Sequence, residues 1–94
     1  MKIDEYDKVV IGQTVYLIEI EQDIATLKEF KVINWSIDEE FGIIEILMND
    51  KYWYNHTKNI FDDKDECIKF HNDKQDMKIE KVSKRIEQYK KLKL

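Results

Sequence analysis

Apolar and polar residues alternate through the first half of the chain, as is typical of β-strands. In the first such run, residues 14–20, apolar residues occupy both sets of positions at the start, so we predict a strand that is covered on both faces there. Gly12, just before it, can adopt the positive φ of an entry turn. The polar residues 21–23 interrupt the pattern and predict a hairpin.

The alternation changes phase within the next run, residues 24–37. Phe30 and Val32 occupy even positions, whereas Ile33, Trp35 and Ile37 occupy odd positions. A β-bulge near Val32 and Ile33 would turn both sets of side chains inward. We therefore predict one long strand with a bulge.

Further turns and short strands follow. They are a turn at residues 38–42, a strand at 43–48, a hairpin turn at 48–51, a strand at 51–56 and a short strand at 60–61. Gly42 can supply the permissive position of the first turn. Asn49 and Asp50 both tolerate the left-handed backbone that a two-residue hairpin turn requires. The segments together predict a meander of four or five antiparallel strands.

The pattern becomes helical from residue 62. Asp63 and Glu66 have the spacing of a capping box, so we predict that a helix begins here. Its first segment would bury the side chains of Cys67, Ile68 and Phe70, and His71 would lie beside them. Residues 72–76 dilute the apolar pattern, which leaves open whether one helix or a broken pair follows.

Beyond that point one apolar stripe runs along the helix. It consists of Ile79, Val82, Ile86 and Tyr89. The spacings of three and four place these residues on a single helix face. Because the stripe covers only about two heptads, three arrangements remain open: docking on the sheet, self-association with a second copy, and insertion into a partner's groove.

The order of these elements predicts a single α+β domain over residues 1–94. Residues 8–61 would form the sheet and residues 62–94 the helical region. A short, strongly bent antiparallel sheet closed by a C-terminal helix or helix pair suggests a small SH3-like barrel. A chain of this length suits one modest core.

Charge divides the chain into two unlike parts. Residues 1–61 carry 6 basic and 12 acidic side chains, whereas residues 62–94 carry 10 basic and 8 acidic ones. The sheet region would therefore be acidic and the helix basic. Cys67 is the only cysteine, which excludes an internal disulfide, and no apolar run suggests a secretory signal or a membrane span. We expect a cytosolic protein without membrane contact.

The residues that could bind a metal or act as nucleophiles are few. Cys67 and His71 are four residues apart and could share a metal with His56, but no second pair completes a set of four ligands. A nucleophile elbow, a glycine-rich phosphate loop and a Walker-type lysine are all absent from the sequence. We therefore expect a structural role for Cys67, no metal, no cofactor and no enzymatic activity.

Three segments resemble a group of small phage, prophage and mobile-element proteins. They are Gly12, Gln13, Thr14, Val15 and Tyr16 at the first strand, Val32 and Ile33 in the second, and residues 60–66 (IFDDKDE) where the helix begins. The resemblance implies an SH3-like barrel, a viral or mobile-element origin and no inherited catalytic residues. Proteins of this setting include inhibitors of host defence such as anti-CRISPR proteins.

Three consecutive aromatic residues, Tyr52, Trp53 and Tyr54, lie on a predicted strand and must face both of its sides. Either Trp53 packs inward and the tyrosines are exposed, or the tyrosines pack and Trp53 is exposed beside Trp35. Both arrangements offer aromatic anchors for an interface. Alternatively, the helix or the N-terminal segment covers that face.

An acidic run at the second turn, Asp38, Glu39 and Glu40, is consistent with a solvated turn and also with competition against nucleic acid for a basic protein groove. We therefore predict a module that binds a host protein, one that handles nucleic acid or serves in defence. The predicted contact residues are Trp35, Asp38, Glu39, Glu40, Tyr52, Trp53 and Tyr54.

Two alternatives to this function remain. The basic helix could bind nucleic acid, or the stripe could make the protein a self-associating structural component, such as a homodimer. The acidic sheet region disfavours direct nucleic-acid binding by the sheet.

Overall fold

A computed structural model describes residues 1–93 as an antiparallel sheet followed by one long helix. The strands are β1 (Thr14–Glu21), β2 (Ile24–Asp38), β3 (Ile43–Met48) and β4 (Trp53–Asn55), and they lie in the order β1-β2-β3-β4. The helix α1 spans Lys64–Lys91, and short 3₁₀ turns occupy Tyr6–Lys8 and His56–Lys58. The predicted α+β class is confirmed. Within the described residues the four-stranded sheet does not close, so a barrel is not shown.

The long strand β2 changes partner at its bulge. Residues 24–31 pair with β1 and residues 32–38 pair with β3, with a register shift between Val32 and Asn34. The predicted bulge is therefore confirmed. The expectation that it turns every apolar residue inward is wrong, because Ile33 and Ile37 are exposed. Ile33 is the unpaired residue of the bulge, which leaves the ladder and faces solvent.

The turns follow the predicted positions with one exception. Gly12 and Gly42 have φ of 90° and 64°, and the β1–β2 hairpin has Gln22 and Asp23 in the left-handed region. In the β3–β4 connection the left-handed residue is Lys51, with φ of 67°, and not Asn49 or Asp50. The Lys51 N–H donates to the carbonyl of Met48 at 2.9 Å, which closes a β-turn over residues 48–51. The Met48 N–H in turn donates to the carbonyl of Tyr52 at 3.1 Å, so three residues, 49–51, lie between the hydrogen-bonded ends of the strands where two were expected.

The main core lies on one face of the sheet. Its buried members are Ile3, Val9, Val15, Leu17, Val32, Ile44, Ile46, Met48 and Ile60. Burial of each such aliphatic side chain contributes about 1.5–3 kcal/mol. The first two come from the N-terminal segment, which is tethered by a 2.7 Å hydrogen bond from the Ile3 N–H to the Ile60 carbonyl. This segment therefore covers the core face of the sheet.

The helix packs against the other face of β1. Tyr16 and Ile18, which alternate with the core residues of this strand, are half-buried, so the prediction that β1 is covered on both faces at its start is confirmed. Tyr16 exchanges two backbone hydrogen bonds of 2.7 and 2.9 Å with Phe61. Phe61 in turn contacts Phe70 of α1, with ring centroids 5.2 Å apart. The predicted short strand at residues 60–61 is thus present as an isolated bridge.

The helix α1 begins where predicted and runs without a break through residues 72–76. The Asp63 carboxylate accepts a 2.9 Å hydrogen bond from the Glu66 N–H, which caps the helix N-terminus. Residues 76–93 are exposed, and the protein measures 60 × 29 × 23 Å. The second half of α1 therefore projects from the domain. Across the described chain, no helix combines the length and apolar character needed to cross a bilayer.

Candidate functional site

Two adjoining open grooves lie where the N-terminal segment meets the β2–β3 hairpin. The first, of about 360 Å³, is lined by Asp4, Glu5, Asp7, Ile37, Gly42 and Ile44, and the second, of about 530 Å³, by Trp35, Ile37, Glu39 and Gly42. Ile37 and Gly42 line both grooves, which therefore form one continuous surface. We call it the acidic surface.

The floor of the acidic surface is apolar because of the strand geometry beneath it. Trp35 and Ile37 are two residues apart on β2, and Ile37 pairs with Ile44 of β3. Residues two apart on a strand and residues directly opposite on antiparallel strands point to the same face. Trp35 and Ile37 therefore continue the core face beyond Ile44, a member of the buried core, to the point where the face opens to solvent.

Carboxylates from two distant segments form the rim of the acidic surface. Asp4, Glu5 and Asp7 line the first groove, and Glu39 lines the second. Asp38 and Glu40 flank Glu39 in the same turn. Lys8 donates a 2.6 Å hydrogen bond to Asp4, and this hydrogen bond lowers the pKa of the Asp4 carboxyl below its usual value. Lys8 balances the charge of Asp4, and the remaining carboxylates give the rim a net negative charge beside the apolar floor.

The three acidic residues of the second turn have different roles. Asp38 holds the turn, because its Oδ1 accepts hydrogen bonds from the N–H groups of Glu40 and Phe41 at 3.1 and 3.4 Å. Glu39 and Glu40 are exposed, and neither forms an ion pair within residues 1–93. These two carboxylates are therefore available to a partner, whereas Asp38 is used by the fold.

Two of the predicted contact residues, Trp35 and Tyr54, share one cross-strand row on the core face. Trp35 pairs with Ile46, which pairs with Tyr54. Tyr54 packs on Phe30 with ring centroids 5.5 Å apart, and its hydroxyl donates a 2.7 Å hydrogen bond to Asp50. Burial, followed by this hydrogen bond, raises the pKa of Tyr54 well above its usual value. Tyr54 is therefore part of the edge of the core.

Tyr52 and Trp53 are exposed but lie away from the acidic surface. Trp53 pairs with Leu47, one position out of phase with the row that contains Trp35, so it points to the opposite face of the sheet. Only one tyrosine packs inward, and Trp53 does not lie beside Trp35. The hairpin that carries Tyr52 and the turn that carries Glu39 lie at opposite ends of β3, roughly 17 Å apart at about 3.3 Å per residue. The predicted contact residues therefore form two separate surfaces.

The residues with possible metal or nucleophile chemistry do not converge. His56 Nδ1 accepts a 3.0 Å hydrogen bond from the Ile44 N–H. Cys67 is only 2% exposed, and burial raises the pKa of its thiol. It lines a small cavity of about 50 Å³ together with His71. Among the described residues, no group of three or more His, Cys, Asp or Glu side chains could hold a metal ion.

The apolar stripe of α1 is exposed along its whole length. Its members, Ile79, Val82, Ile86 and Tyr89, are between 48% and 71% exposed. Sequence reasoning left open whether the stripe docks on the sheet, and the structure places it on the projecting half of α1. Self-association through this stripe stays a prediction.

Sequence reasoning missed the N-terminal contribution to the acidic surface. Asp4, Glu5 and Asp7 lie between Ile3 and the apolar run of residues 9–11, which Val9 begins, and Ile3 and Val9 fit neither the helical nor the strand period. Both are buried in the core, and this anchoring brings the acidic residues to the β2–β3 hairpin. The available signal was an apolar residue at each end of an acidic segment, which does not reveal where the segment docks.

Comparisons with protein-family models, with curated proteins and with solved structures found no match to this chain.

Proposed function

We propose that this protein is a non-enzymatic module whose acidic surface binds a basic groove on a host protein, one that handles nucleic acid or serves in defence. The observation that carries the proposal is the convergence of the three carboxylates of residues 4–7 with that of Glu39 around the apolar floor at Trp35 and Ile37. A protein that binds nucleic acid presents lysine and arginine side chains to phosphates. The acidic rim would occupy those side chains and so inhibit the partner.

The combination of floor and rim suits a protein partner better than a small ion. Aromatic side chains in partly desolvated pockets are favoured interface anchors, and Trp35 is half-buried at the edge of such a groove. A rim of one charge sign steers a partner of the opposite sign and sets its orientation. Apolar burial at the floor would then supply affinity, and the carboxylates would supply selectivity.

The same proposal includes an SH3-like relationship and a phage or mobile-element origin, with action in the cytoplasm of a bacterial host. The bridge between Tyr16 and Phe61 supports the SH3-like relationship, because a fifth segment that returns to the first strand is what closure of a five-stranded barrel requires. The origin rests on the resemblance of residues 12–16 and 60–66.

The test is capture of a partner from a nuclease-treated bacterial lysate by immobilised protein. The Glu39→Gln/Glu40→Gln variant removes two carboxylates of the rim and leaves Asp38 to hold the turn. A matched control, Glu21→Gln/Asp23→Asn, removes the same charge from the exposed β1–β2 hairpin. We expect one stoichiometric, basic partner that the wild type and the control retain, that the rim variant loses, and that high salt releases.

Two results would contradict the proposal. One is the absence of any stoichiometric partner of the wild type. The other is that the rim variant still captures the partner while Trp53→Ala does not, because these two results together would place the contact on the opposite face of the sheet.

A second candidate function, nucleic-acid binding, is favoured by the exposed half of α1. Residues 78–94 carry seven basic and two acidic side chains. In a gel-shift titration this function predicts affinity that falls steeply with salt and that decreases in Lys84→Gln/Arg85→Gln. The matched control is Lys31→Gln/Lys51→Gln on the sheet, which should bind like the wild type.

A further inference from the structure

We infer that the apolar stripe of α1 is the interface of a homodimer in which two copies of the helix pack antiparallel, centred near Lys84. The inference is independent of the proposed function, because it concerns the projecting half of α1 and not the acidic surface. Its occupant is a second copy of this chain. Three observations support it: the spacing of the stripe, the positions of the charges beside it, and the length of free helix.

The spacing of the stripe is that of a coiled-coil seam. Ile79 and Ile86 take a positions, and Val82 and Tyr89 take d positions, which are the positions that face a partner helix. An antiparallel partner aligns a with d, so Ile79 meets the partner's Tyr89 and Val82 meets the partner's Ile86. Two-fold symmetry repeats both contacts and gives four apolar layers, which would cover side chains that one copy alone exposes.

The charges beside the stripe favour antiparallel over parallel pairing. In a parallel dimer, Arg85 would lie beside the partner's Lys90 on both sides of the seam, which places like charges together. In the antiparallel register, Asp76 of each helix lies beside the partner's Lys90, because both are e positions, and the two pairs lie on one flank of the seam, towards its two ends. In the single chain, ion pairs between residues of α1 join Lys69 to Asp73 and Lys84 to Glu80. The antiparallel dimer therefore gains two pairs of opposite charge, and its one like pair is Arg85 with the partner's Arg85.

The free length of α1 matches the overlap that this register needs. Alignment about Lys84 places Lys91, the last residue of each helix, beside Met77 of the other. Residues 76–93 are exposed, and Gln75 is the last half-buried residue of α1. Two helices can therefore overlap over residues 77–91, about 22 Å at about 1.5 Å per residue, before either end reaches the sheet of the other copy. A two-fold pairing also closes on itself as a dimer, whereas head-to-tail contacts between the helix and the acidic surface would form rings or open chains.

Sedimentation equilibrium of the full chain, from low micromolar to millimolar concentration, tests the inference. We expect the mass to rise with concentration from 11.5 kDa towards a plateau at twice that value. Ile86→Asp should raise the dimer dissociation constant by at least about tenfold. Met77→Ser is the matched control, because Met77 is exposed but lies on the other side of the helix, and it should dimerise like the wild type.

Charge reversal near the end of the helix tests the orientation. Lys90→Asp places the new carboxylate beside the partner's Asp76 in the antiparallel dimer and should weaken that dimer. In a parallel dimer the new carboxylate would pair with the partner's Arg85 and strengthen the dimer. Lys91→Asp is the control, because it has a similar effect on the helix dipole but lies on the outer face. The double variant Asp76→Lys/Lys90→Asp should restore most of the affinity.

A mass that stays at one chain up to millimolar concentration would overturn the inference. Assembly that continues beyond two chains would also overturn it. So would assembly that is abolished by Glu39→Gln/Glu40→Gln but not by Ile86→Asp. Both results would place the basic helix on the acidic surface of another copy. Stronger dimerisation of Lys90→Asp would overturn the antiparallel orientation.

Discussion

The backbone N–H of Ile44 donates a 3.0 Å hydrogen bond to Nδ1 of His56. Ile44 lies one position beyond Glu45 and Asn55, the last paired residues of β3 and β4. The imidazole therefore takes the place of the carbonyl that a longer β4 would offer. The function of His56 in the described structure is to complete the sheet next to the buried side chain of Ile44.

We expect His56→Ala to lower the free energy of unfolding by about 1 kcal/mol, because a partly buried N–H loses its acceptor. His56→Asn should retain more of this free energy, since its side-chain oxygen can approach the position of Nδ1. Urea denaturation of the three proteins measures the difference. An equal loss in both variants would show that the hydrogen bond is not what His56 contributes.

Tyr54 should make the protein sensitive to alkaline pH. Its pKa is raised in the folded state above the ordinary value of 10.0, so the protonated phenol favours folding. That contribution is complete below about pH 10 and is lost as the pH rises towards the folded-state pKa, because the unfolded chain releases the proton first. Tyr54→Phe should be less stable at neutral pH by about 1 kcal/mol, the contribution of the hydrogen bond to Asp50, and should lose stability less steeply above about pH 10.

Denaturation curves of the wild type and Tyr54→Phe across this pH range give the two slopes. Tyr16 also has a raised pKa, caused mainly by burial, but it is present in both proteins and cancels in the comparison. Parallel curves for the two proteins would rule out a contribution of Tyr54 to the pH dependence.

Asp63 should contribute to the stability of α1 through its cap. Asp63→Ala removes the acceptor of the Glu66 N–H and should cost about 1 kcal/mol in unfolding free energy. Asp63→Asn keeps an acceptor and should therefore lose less stability. The loss that remains is the attraction between the negative charge of Asp63 and the helix N-terminus. Thermal unfolding followed by circular dichroism would measure the stability of both variants. Equal stability of Asp63→Ala and the wild type would contradict the capping role.

Cys67 should react slowly in the folded protein. Its thiol is buried and its pKa is raised by that burial, so both access and the thiolate fraction are reduced. We expect iodoacetamide to modify the native protein at least about tenfold more slowly than the urea-unfolded protein. Mass spectrometry of timed samples gives the two rates. Similar rates would mean that Cys67 is accessible.

Removal of the projecting half of α1 should leave the domain stable. A chain that ends after Lys78 lacks the stripe but keeps Cys67 and Phe70, the residues that contact the sheet region. At low micromolar concentration its melting temperature should equal that of the full chain. A large decrease would indicate that the stripe packs on the sheet in solution, which was one of the arrangements that the sequence left open.

Much of the sheet could be predicted because its signals are local. The phase change at Val32 indicated the bulge, and Asp63 indicated the start of the helix. Predictions that depended on packing were less successful. The sequence could not decide which of Tyr52, Trp53 and Tyr54 would face the core, because that depends on the register with Leu47 and Ile46 across the hairpin.

The candidate site was predictable only in part for the same reason. Glu39 and Glu40 were recognised as an acidic run beside Trp35, but Asp4, Glu5 and Asp7 join them through contacts that link distant parts of the chain. Those contacts depend on Ile3 and Val9, whose burial has no periodic signal in the sequence.

The sequence by itself determined the strands, the bulge, the charge difference between sheet and helix, and the apolar stripe, because each of these follows from residues close together along the chain. Only the tertiary structure decided that the N-terminal segment joins the acidic surface, that Trp53 faces away from Trp35, and that the stripe is exposed on a helix without a break. These outcomes depend on which surfaces bury each other, and that is a property of the whole packed chain.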